Sequence, residues 1–134
     1  KTMIKTAGSQ RLVRECMANY EYTDDKGETV IEEIRVKYFA LTTADMKRQK
    51  AWIQDQAEAD PNRIIWLAET LPFSVHSLPG VAGQDGKPIV SKFDKNGVPT
   101  KATVEHFENI ARNNLEAIRD AISEDVRPKE QPSN

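Results

Sequence analysis

Residues 79–90 read PGVAGQDGKPIV, and the Gly-Gln-Asp-Gly-Lys inside them looks like part of a phosphate cradle. A nucleotide loop of that kind needs a glycine, four residues, then Gly-Lys and a Ser or Thr. Val81 stands where the first glycine is required, and Pro88 replaces the hydroxyl that would meet magnesium. Pro88 also lacks the backbone N–H that a phosphate-wrapping helix would present. The segment reads instead as a turn in which Gly86 takes a positive φ. Asp94, Asn96 and Glu105 occupy the first, third and twelfth positions of a notional calcium loop. Such a loop bends at a glycine in its sixth position, where this chain has Pro99, and Val98 offers no side-chain oxygen at the fifth. Asp94–Pro99 is therefore expected to be another turn. His76 and His106 have no partner at metal-ligand spacing. With Cys16 as the single cysteine, neither an intramolecular disulfide nor the usual four-ligand zinc set can form. No nucleophile, base and orienting group fall into a recognisable set. The reading is a protein without catalytic residues, metal or cofactor.

The composition points the same way. Nineteen basic and twenty-one acidic side chains among 134 residues leave a net charge of -2, too weak a field to favour nucleic acid or an anionic membrane. No apolar run approaches the ~20 residues that cross a bilayer, and no secretory signal pattern is read at the start. Cys16 reads as a small buried hydrophobe in a reducing compartment.

The elements that would position a binding surface follow from periodicity. Val30, Glu32, Ile34, Val36 and Tyr38 share one face, and Glu33, Arg35 and Lys37 the other. That period of two marks a half-buried strand. Tyr20 and Tyr22 alternate likewise, and Asp24–Gly27 supplies a turn, so an N-terminal antiparallel hairpin is predicted. From Thr42 or Thr43 as N-cap, residues up to Ala59 read as a helix, with Met46, Ile53 and Ala57 on its packed face. A second helix is expected from Asp60 as cap, with Pro61 at its first position, to a stop at Pro72. Residues 72–99, rich in Pro and Gly, read as a long irregular connection with room for a short hairpin around Ile89, Val90 and Phe93. Val104, Phe107, Ala111, Leu115, Ile118, Ile122 and Val126 recur at steps of three and four, which predicts one long amphipathic helix. The expected fold is α+β: a hairpin, extendable by a third strand, packed with three to four helices. One domain spans 11–127, between a flexible arm (1–10) and a disordered tail (128–134).

Three stretches resemble the small tail assembly chaperones of long-tailed bacteriophages. They are EIRVKYFALTTADM at 33–46, DGKP at 85–88, and TVEHFENIARNNLEAIRDAISEDVRPK at 103–129. The resemblance implies a non-enzymatic role in the bacterial host cytoplasm. Such proteins coat the tape measure protein, keep it soluble until tail tube subunits assemble around it, and are absent from the finished virion. It also implies a longer form made by frameshifting. A minor tail or connector subunit retained in the virion is the alternative. The candidate apolar groups to meet a partner protein are Trp66, Leu71, Phe73, Val75 and Leu78, with Phe107, Leu115 and Ile118 on the last helix; the other reading of Leu71, Phe73, Val75 and Leu78 is that they pin the irregular connection onto the core. The stripe on the last helix also suggests self-association into a homo-oligomer.

Overall fold

The computed structural model describes Met3 and residues 11–127. The expected arm and tail lie outside the described residues, Met3 excepted. Along the chain run β1 (Val13–Thr23), β2 (Thr29–Phe39), α1 (Thr43–Ala59), α2 (Leu67–Thr70), a single 3-10 turn (Leu71–Phe73), β3 (Val75–Ala82), β4 (Pro88–Val90), α3 (Lys101–Glu108) and α4 (Arg112–Val126). The strands form one antiparallel sheet in the order β1-β2-β3-β4. The α+β expectation holds, with a four-stranded sheet and four helices.

The β1–β2 hairpin forms as its alternation dictates. Ile34, Val36 and Tyr38 are buried on the predicted face, opposite Ala18, Cys16 and Arg14 of β1. Three tight turns share one hydrogen-bond pattern. The N–H of Asp24, Gly83 and Asp94 donates to the carbonyl four residues on, and Gly27, Gly86 and Gly97 donate back to the first residue of each turn. All three of those glycines sit at φ 77°, the left-handed position that closes a three-residue hairpin loop. The Gly-Gln-Asp-Gly-Lys stretch is thus the β3–β4 turn, and Asp94 Oδ1 accepts from the N–H of Asn96 and Val98.

Residues 75–82 are a strand, where an irregular connection was expected. Val75, Ser77, Leu78 and Val81 are buried. The breakers Pro79 and Gly80 fall where the pairing with β4 shifts register between Leu78 and Ala82. A bulge tolerates proline because it gives up ladder bonds there anyway.

The helix expected from Asp60 is also different. Asp60 ends α1, its Oδ1 taking the N–H of Asn62 in a turn. Residues 63–66 belong to no helix or strand, Trp66 is extended, and helix resumes only at Leu67.

The long C-terminal helix is two helices broken at Asn109–Ala111. Asn109 Nδ2 donates to the Glu105 carbonyl at 2.7 Å, a local bond that competes with the helical ladder. Asn109 itself lies near φ -89°, ψ 0°, and Ala111 is extended, with its carbonyl restarting the helix at Asn114 and Leu115. The break turns Ile110 into the core.

Phe107, Ile110, Leu115 and Ile118 pack with Val36, Leu71, Val75, Leu78 and Ile89 into one core between the sheet and α2, α3 and α4. Burial of each such side chain is worth about 1.5–3 kcal/mol. α1 lies apart. Thr42 caps it through a reciprocal box with Asp45, but none of its residues is buried. Met46 and Ala57, expected to pack, face solvent, and the side turned to the body carries Gln49, Trp52, Ile53 and Gln56.

Candidate binding groove

A concavity of about 580 Å³ lies between residues 64–68 and the α3–α4 corner. Its construction starts at Arg63. That guanidinium bonds Gln56 Oε1 and Glu69 Oε1 and lies 5.8 Å from the centre of the Trp52 ring. Glu69 Oε2 in turn accepts the Trp66 N–H at 3.0 Å. One carboxylate therefore caps α2 and fixes the arginine that ends the preceding turn. Along the non-helical chain between, exposure alternates from residue to residue. Ile64 and Trp66 point out, 61% and 56% exposed, while Ile65 and Leu67 are half-buried against the body.

The facing wall is the corner itself. Ile110 and Leu115 supply apolar floor beside Leu67 and Ala68. Arg112, Glu116 and Arg119 stand at i, i+4 and i+7 on α4 and form a charged rim with Glu108. Arg112 Nε donates to Glu116 Oε1 at 2.9 Å. The groove thus has an apolar floor and a rim of both signs.

Of the eight expected partner-binding residues, two meet here: Trp66 on the lip and Leu115 in the floor. Leu71, Phe73, Val75, Leu78, Phe107 and Ile118 are buried in the monomer, from 0% to 6% exposed. They hold the sheet against the helices, because β3 and the α3–α4 corner give them regular packing positions. Leu115 is itself only 4% exposed and packs in the same core, while also lining the groove. Sequence reasoning missed Ile64, Ile65, Leu67 and Ile110. The signal present was the four-residue apolar run Ile64–Leu67, longer than one helical face needs.

The other polar groups that drew attention serve the fold. His106 Nδ1 accepts the Gln84 N–H at 3.4 Å, and a Cβ on Gly83 would stand 2.6 Å from that nitrogen. His106 therefore braces the β3–β4 turn. His76 Nδ1 lies 2.8 Å from Ser77 Oγ, and its ring meets Phe39 edge-on at 5.5 Å. Burial first, then the charges of Asp125 and Glu15, push the Cys16 thiol up to about 11, which disfavours the reactive thiolate. Among the described residues no three His, Cys, Asp or Glu side chains gather as metal ligands. Nor is any described helix long and apolar enough to cross a membrane.

No family model matches the chain, and neither a curated protein nor a solved structure is significantly similar to it.

Proposed function

We propose that this chain is a non-enzymatic binding protein that shields an amphipathic helical client, the role a tail assembly chaperone has toward the tape measure protein. The observation that carries the reading is the groove between Trp66 and Leu115, apolar in its floor and charged on its rim. Helix-in-groove recognition uses that arrangement: an apolar stripe enters the floor while polar flanks meet the rim. A rim carrying Arg112, Arg119, Glu108 and Glu116 suits a client with charges of both signs beside its stripe. The resemblance of residues 33–46, 85–88 and 103–129 to tail assembly chaperones is the ground for taking the tape measure protein as the client. The site of action is then the host cytoplasm, before the tail tube closes.

The test is co-expression with a tape measure protein. The client is expected in the soluble fraction only when this chain is present. The double variant Ile64→Asp, Trp66→Asp should keep the fold, since both side chains face solvent, and lose the client. Equal solubility of the client without the chain would refute the proposal. Recovery of the chain from purified particles would point instead to a minor tail or connector subunit.

A further inference from the structure

The two edges of the sheet are built differently. β4 is three residues long and opens with Pro88, and its pairing is shifted by a bulge. Short strands, proline and bulges are the usual means of stopping a sheet from adding another strand. β1 has none of them. It is eleven residues long, contains neither Pro nor Lys, and pairs with β2 without a register shift.

Which of its backbone groups face outward follows from the register. The bonds from Asp24 N–H to Glu28 and from Ala40 N–H to Leu12 mark the even-numbered positions as those bonded to β2. The N–H and C=O of Val13, Glu15, Met17, Asn19 and Glu21 therefore point away from the sheet. Glu21 is satisfied, because Asn114 Oδ1 accepts its N–H and Asn114 Nδ2 donates to its carbonyl, both at 2.8 Å. No described residue bonds the outward groups of Val13, Glu15, Met17 and Asn19. α4 does not cover them. It runs over the inner face of β1, from Asn114 at the Glu21 backbone to Asp125, which receives the Tyr38 hydroxyl, so it packs on the side chains of β1 rather than on its outward N–H and C=O groups.

We propose that β1 pairs antiparallel with β1 of a second copy of this chain, centred on Cys16. In that register Val13 lies opposite the partner's Asn19 and Glu15 opposite the partner's Met17. Each of these pairs exchanges two N–H···O bonds across the two-fold axis. On the other face Arg14 meets the partner's Ala18. No like charges oppose each other, and every outward group from Val13 to Asn19 is used. Neighbouring registers fail. Centring on Met17 calls on Glu21, whose backbone Asn114 already occupies. Centring on Glu15 sets two carboxylates face to face, and centring on Arg14 two guanidinium groups. The free stretch is thus complementary to itself in one register, which is why a second copy fits it. The resulting dimer continues the sheet through the two-fold axis and does not depend on the groove at Trp66.

Sedimentation of the full chain over a concentration series tests this. The wild type is expected to pass from monomer to dimer. Met17→Glu sets a new carboxylate opposite the partner's Glu15 at two symmetric places, and should raise the dimer Kd roughly 2- to 30-fold. Met17→Lys sets an ammonium there and should lower the Kd. Within one chain Met17 lies opposite Arg35, so glutamate suits the monomer better than lysine does. An order of Lys, wild type, Glu in dimer strength therefore cannot come from the stability of the fold. A chain that stays monomeric throughout, a dimer indifferent to both variants, or the reverse order would each overturn the pairing.

Discussion

The side-chain amide of Asn114 on α4 meets the backbone of Glu21 on β1 as another strand would, accepting from its N–H and donating to its carbonyl, each at 2.8 Å. Asn114 is 3% exposed, so these bonds lie away from competing water. They dock the start of α4 and end the open edge of the sheet at the same point. Asn114→Ala removes both partners from Glu21 and should lower unfolding free energy by about 1–3 kcal/mol. Urea denaturation measures it. An unchanged midpoint would mean that the amide does not hold the helix.

At the other end of α4 the hydroxyl of Tyr38 donates to Asp125. Burial first, then that bond and the carboxylate charge, push the Tyr38 phenol up from 10 to about 12. The unfolded chain gives up the phenol proton near pH 10, whereas the folded chain keeps it. Stability from this group is therefore complete below pH 10 and is lost as pH rises to about 12. Tyr38→Phe should be less stable at neutral pH and lose less between pH 10 and 12 than the wild type. Parallel alkaline losses in the two proteins would contradict the assignment.

Ile118 and Ile64 separate core from binding surface. Ile118 is fully buried, and an aspartate there would be an unpaired charge in the apolar interior. Ile118→Asp should abolish the cooperative thermal transition seen by circular dichroism. Ile64→Asp, on a side chain 61% exposed, should leave the transition within about 0.5 kcal/mol of wild type. A folded Ile118→Asp protein would displace the core from where it is described.

The hairpin could be read from the chain because its period of two and its Asp-Asp-Lys-Gly turn agree with each other. β3 could not, because Pro79 and Gly80 are breakers in isolation, and only pairing partners distant in sequence reveal that a bulge absorbs them. The interruption at Asn109–Ala111 hides for the opposite reason. Apolar spacing runs through it unbroken, and the bond from Asn109 to Glu105 that ends α3 is local but leaves no mark in periodicity. Trp66 was identifiable as a surface aromatic. Its neighbours were not, because a helix spreads Ile64, Ile65 and Leu67 around its axis, whereas the non-helical chain between Arg63 and Glu69 sends alternate ones outward.

α1 has seventeen residues and none of them is buried. Its attachments include the Trp52 ring against Phe73 at 5.4 Å, the Arg63 clasp, Asp45 near Arg11 at 3.4 Å, and the Arg48 side chain over Gly97. Opening this helix exposes little apolar area, so its amides should exchange with solvent long before those of β2. The segment is a detachable outrigger: whole turns could be added to or taken from its exposed middle while the sheet beneath kept its register.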